Sequence, residues 1–112
     1  MNEFALVYRN THEPLSPDEM QAHLQDCMDW FKRLIDKGII DNPGVPLGPS
    51  GGTVTGRERA IHDGPFAESK DVISGLTVVR AVDLAEAMEI AKTCPVLTVG
   101  GSVEVRPVQS CH

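Results

Sequence analysis

The 112 residues are 41% hydrophobic but only 4% aromatic and carry a net charge of −6, so one domain over 1–112 with an aliphatic core is expected. No apolar run nears the roughly 20 residues of a membrane span, and the N-terminus lacks a basic segment followed by a long apolar stretch. Arg57 and Arg59 are split by Glu58 and no basic stripe exists, so neither membrane nor nucleic acid is expected as a partner, and a cytoplasmic setting follows.

Residues 3–9 predict a first strand, apolar on both faces through Phe4, Leu6 and Tyr8 and through Ala5 and Val7. A helix over about 17–37 follows. Ser16 is its N-cap, Pro17 its first residue, Glu19 the capping-box partner and Gly38 its terminator. Met20, Leu24, Cys27, Phe31, Leu34 and Ile35 give it one apolar stripe. Trp30 sits on the shoulder of that stripe and His23 beside it.

Residues 41–52 form a Gly/Pro-rich loop without phosphate-binding chemistry, expected to shape a pocket wall or lie over the sheet. Thr53–Thr55 and Arg57–His62 read as a hairpin turning at Gly56. A turn at 62–66 leads to a strand starting near Val72, where Gly75 marks a bulge or a close backbone approach. A second helix over 84–92 has Asp83 as N-cap, Glu86 in the capping-box position and a buried stripe of Leu84, Ala87, Met88 and Ala91. Residues 102–107 alternate Val103 and Val105 with Glu104 and Arg106, a half-exposed last strand. The order is β-α-β-β-α-β, an α+β ferredoxin-like arrangement with an antiparallel sheet. Two helices cover one sheet face. The apolar side chains left on the other predict a homodimer.

The stretch Asp63-Gly64-Pro65-Phe66-Ala67-Glu68-Ser69-Lys70 resembles the signature of the DGPF-type branch of the YCII-related family. The resemblance extends to the strand ending in Tyr8, to Ser16-Pro17-Asp18-Glu19-Met20 and to Gly101-Ser102-Val103-Glu104-Val105-Arg106-Pro107. It implies a dimeric α/β barrel in which two ferredoxin-like sheets pack face to face. It also implies a His and an acidic residue as a catalytic pair in a pocket. The first helix here offers His23 and Asp36, with Asp26 nearer the expected slot, and Leu76 stands where relatives commonly carry an aromatic.

His62 and Asp63 are the leading catalytic candidates, because a His at a strand end beside a turn suits general acid–base work near neutral pH. Asp63 also has a purely local role open to it, since Asp-Gly-Pro is turn chemistry. His23 is the third candidate. Tyr8, Glu68 and Lys70 are candidate ligand-binding residues, for which core packing and a solvated ion pair are the plain alternatives. Together they suit a small enzyme acting on a small polar metabolite, or a non-catalytic ligand-binding or regulatory module. Cys27, Cys94 and Cys111 are an odd set without metal-ligand spacing, expected to be free thiols. No cofactor and no metal is expected.

Overall fold

The computed structural model describes residues 1–10, 14–48, 50–64 and 72–109. Strand β1 runs Asn2–Asn10 and helix α1 Pro17–Asp36. The short strand β2 is Val45–Pro46, followed by β3 at Gly52–Thr55, β4 at Ala60–Asp63 and β5 at Val72–Ala81. Helix α2 is Leu84–Ala91, a 3₁₀ turn covers Pro95–Val99, and β6 is Ser102–Pro107. Four strands form one antiparallel sheet in the order β2-β5-β1-β6, which is consistent with a ferredoxin-like α+β fold.

The ends of α1 follow from local chemistry. The Ser16 hydroxyl accepts from the Glu19 N–H at 3.1 Å while the Glu19 carboxylate accepts from the Ser16 N–H at 3.0 Å. Those bonds hold the Glu19 carboxyl below its ordinary range. At the other end, Gly38 has φ +74, and the N–H groups of Gly38 and Ile39 donate to Ile35 and Leu34. That is the pattern of a Schellman cap. Arg80 then donates through Nε and Nη2 to the Gly38 carbonyl and through Nη1 to Asp41, tying the helix end to β5.

The second strand of the sheet is where the structure departs from the sequence reading. Among the described residues, the hairpin β3–β4 pairs only with itself, and its turn spans Gly56–Arg59 rather than Gly56 alone. The sheet is completed instead by Val45–Pro46, inside the Gly/Pro loop, which pairs with Leu76 and Gly75. Two glycines permit this approach. A Cβ on Gly44 would lie 2.1 Å from the Leu76 carbonyl oxygen, and one on Gly75 would lie 2.8 Å from that of Val45. The register opposite β1 skips Ser74, a bulge next to Gly75.

Phe4, Leu6, Tyr8, Thr77, Val79 and Ala81 point to the helix-covered face and are buried. Each helix buries only part of the stripe that the sequence suggests. In α1, Trp30 and Leu34 are buried, His23, Cys27 and Phe31 are partly covered, and Met20, Leu24, Met28 and Ile35 are exposed. In α2, Ala87 and Ala91 are buried while Leu84 and Met88 are exposed. Both corrections have one cause. A helix carrying apolar residues around much of its circumference has two stripes of the right period, and the sheet selects the one that fits: Trp30 in α1, and alanines where α2 runs close to the strands.

The opposite sheet face carries Ala5, Val7, Val45, Leu76 and Val78, with Glu3, Arg9, Arg80, Glu104 and Arg106 around them. Val45, Leu76 and Val78 are exposed. The chain presents 8208 Å² of surface, against about 6,000 Å² for a compact monomer of 12.1 kDa. Among the described residues, no helix is long and apolar enough to cross a membrane.

Candidate functional site

A cavity of about 90 Å³ lies between α1, the ends of β1 and β5, and the 3₁₀ turn. Strand β1 contributes Tyr8 and Asn10, and α1 contributes His23, Cys27, Trp30 and Phe31. The β5 bulge contributes Ser74, and the approach to the 3₁₀ turn contributes Cys94 and Val96. Each side chain is there for a structural reason. His23, Cys27, Trp30 and Phe31 share one helix face at spacings of four, three and one, and the bulge re-aims Ser74. Pro95 stops the chain after α2 from continuing as helix and leaves Cys94 buried beneath it.

The floor is fixed by aromatic packing and by a short hydrogen-bond chain. Tyr8 and Trp30 meet edge to face with centroids 6.4 Å apart, and Trp30 lies 5.2 Å from Phe31. Trp30 Nε1 donates to Thr93 Oγ1 at 2.7 Å. The Tyr8 hydroxyl donates to Thr77 Oγ1 at 2.6 Å, and Thr77 Oγ1 donates to the Pro43 carbonyl at 2.7 Å. Burial pushes the Tyr8 phenol well above its usual range. Tyr8 therefore stays neutral, its proton committed to Thr77, and shapes the cavity with its ring.

The reactive groups at the wall are His23 and Cys27. They are one helical turn apart, with Cys27 Sγ 3.6 Å from His23 Nε2, within hydrogen-bond reach for sulfur. Burial, with the Asp26 carboxylate adding to it, raises the Cys27 thiol above its ordinary range. Burial likewise pushes the Cys94 thiol up to about 11. Neither is a ready thiolate at neutral pH. Both are free, and Cys111 lies outside the described residues. Among the described residues, no three His, Cys, Asp or Glu side chains converge to hold a metal ion.

The raised Cys94 value has a measurable consequence. A thiol that keeps its proton to about pH 11 in the folded chain loses it near pH 9 when unfolded. The folded state therefore binds more protons between those values, and stability falls as pH rises from 9 to 11. A loss of about 2 kcal/mol over that window is expected, smaller in Cys94→Ala, with urea midpoints at pH 8, 9.5 and 11 as the readout.

The candidate residues from the sequence divide in space. Tyr8 and His23 line this cavity. His62 and Asp63 are exposed on β4, where His62 Nε2 lies 3.0 Å from Thr55 Oγ1, and neither lines the cavity with Tyr8. Glu68 and Lys70 lie outside the described residues. The His23–Asp36 pair that the resemblance implies does not meet, because thirteen residues of one helix put about 20 Å between them. Cys27 read as a core thiol, and Asn10, Ser74 and Cys94 carried no local signal at all.

A second, more polar depression of about 310 Å³ lies on the outer sheet face between Asp41–Val45 and β5, where Arg80 pairs with Asp41 at 2.8 Å.

Comparison with known proteins gives two findings. Residues 3–111 match the YCII-related domain. The chain is also similar to an uncharacterized protein, R00369, of Rhizobium meliloti (strain 1021), at 29% identity over 98 residues, covering 83% of this chain and 78% of that one.

Proposed function

Since this chain belongs to the YCII-related family, we propose that it is a small-ligand protein working as a homodimer, with His23 as the group that exchanges a proton or hydrogen bond with the ligand. The observation that carries this reading is the convergence of Tyr8, His23 and Cys27, from β1 and α1, on one cavity. Its volume matches about three water molecules, so the ligand, or the part of it that enters, is compact. Its walls are largely rings, thiols and Val96, so that part is mostly apolar with one polar group for His23, Asn10 or Ser74.

In the enzymatic form of this proposal, His23 is the general acid–base residue. In the second form, a binding or regulatory module, the ligand is held without turnover. The second is favoured by a specific observation: among the described residues, no carboxylate lines the cavity to orient His23, and burial raises the adjacent Cys27 thiol above its ordinary range. Two free thiols at the cavity also suit the reducing conditions of a cytoplasmic setting.

The dimer is supported by the outer sheet face. Val45, Leu76 and Val78 are exposed there beside Ala5 and Val7, and the chain's surface exceeds that of a compact monomer by about 2,000 Å². Face-to-face packing of two such sheets gives the dimeric α/β barrel that the resemblance to the DGPF-type branch implies.

The test is titration of wild-type and His23→Gln protein with small acids, amides and alcohols, followed by imidazole ring resonances and by product formation. Binding about tenfold weaker in His23→Gln is expected. Turnover falling about a hundredfold or more in that variant selects the enzyme. Ligand shifts of equal size in both proteins remove His23 from the site.

A further inference from the structure

We propose that the β3–β4 hairpin is an arm that packs on a second copy of this chain, anchored by Val54 and Ile61 and carrying His62 and Asp63 with it. The inference rests on the homodimer reading above and adds to it a second contact element. Val54 and Ile61 are directly opposite each other across the hairpin and so share a face, and they are 64% and 80% exposed. Among the described residues, neither β3 nor β4 packs against any other strand or helix.

The hairpin nevertheless has a built shape. Its base is closed by Gly64 N–H donating to the Gly51 carbonyl at 2.8 Å and by Thr53 Oγ1 donating to the Gly64 carbonyl at 2.7 Å. The polar face holds the Thr55–His62 contact at 3.0 Å. Among the described residues, the apolar face is unanswered. A two-stranded hairpin on its own is marginal in water, and its single cross-strand Val–Ile pair adds little while leaving most of both side chains wet. Burial against another surface covers them and steadies the hairpin.

A second copy is the occupant that the dimensions favour. The radius of gyration is 15.5 Å, against about 13 Å for a compact domain of this length. The surface excess of about 2,000 Å² is more than twice the roughly 800 Å² each partner gives to a standard interface. The few exposed apolar side chains of the outer sheet face cover only part of such an area, and the arm supplies more. Two-fold symmetry makes the exchange reciprocal, so each copy lends an arm and receives one. Asp63, on the same face as the anchors, then meets the partner, while His62 stays on the opposite face beside Thr55.

Sedimentation of wild type, Val54→Ser/Ile61→Ser and Val78→Asp tests this, with Trp30 fluorescence confirming that each variant keeps its core. The expected result is a wild-type dimer whose dissociation constant rises about a hundredfold in the double variant, a decade for each anchor lost. A wild-type dimer with an unchanged constant in the double variant overturns the arm and leaves the homodimer standing. Weakening in the double variant without weakening in Val78→Asp supports the arm and moves the rest of the interface off the sheet face. A monomeric wild type at micromolar concentration overturns arm and homodimer together.

Discussion

Val79→Asp is expected to unfold the chain, whereas Val78→Asp, one residue away, leaves it folded and separates the proposed dimer. Val79 is 0% exposed and Val78 is 40% exposed, because successive strand residues point to opposite faces. Val79 is paired with Phe4 within the core, where no cationic side chain is buried to answer a carboxylate. Losing the Val side chain and burying an unpaired charge together cost roughly 4 kcal/mol or more, against a typical total of about 5–15 kcal/mol. Val78 pairs with Ala5 on the outer face, where a carboxylate stays hydrated in the monomer. Circular dichroism and sedimentation of the two variants read the contrast. A folded Val79→Asp protein sinks the face assignment, and a dimeric Val78→Asp protein sinks the sheet-to-sheet interface.

Trp30→Ala carries the next largest effect. Trp30 is 2% exposed, meets Tyr8 edge to face and Phe31 at a tilt, and donates to Thr93 Oγ1. Its removal is expected to cost about 3–5 kcal/mol and to enlarge the adjoining cavity. Trp30→Phe keeps the ring contact but loses the hydrogen bond, and an intermediate cost follows. Thr93 is not orphaned by either change, because its hydroxyl still donates to the Ile90 carbonyl. The chain has one Trp, so the transitions are followed by far-ultraviolet circular dichroism. A loss under about 1 kcal/mol in Trp30→Ala shows that α1 is held to the sheet by other contacts.

What the sequence made legible was the chemistry that acts locally. The capping box at Ser16 and Glu19, the stop at Gly38, the Asp83 cap and the alternation of β6 all depend on residues within a few positions of one another. Gly75 was legible as a close approach, but its partner was not. Val45–Pro46 becomes a strand only because Gly44 and Gly75 let two backbones touch, a tertiary fact with no period of its own. The inward face of α1 was ambiguous for a related reason. Met20-Leu24-Met28 and His23-Cys27-Trp30 both repeat at helical spacing, and only the sheet decides between them.

The lining of the candidate cavity was legible in part for the same reason. Tyr8 stood out at a strand end and His23 beside the stripe of α1. Their neighbours Ser74 and Cys94 are assembled by a bulge and a 3₁₀ turn far along the chain. His62 and Asp63 drew attention as a strand-end His beside a turn, and that turn belongs to a hairpin that, among the described residues, does not reach the cavity.

The prolines at the margins of the sheet bear on how the chain stays out of aggregates. One margin is β2, two residues long with Pro46 as one of them, and the other is β6, which ends in Pro107. A proline presents no N–H, and a two-residue strand offers an incoming chain almost no ladder to extend. Along β6, Glu104 and Arg106 place charge beside the open backbone, as gatekeepers against fibril growth do. The sheet is thus blunted sideways, and its exposed apolar side chains, Val45, Leu76 and Val78, sit on the flat outer face, away from any open ladder.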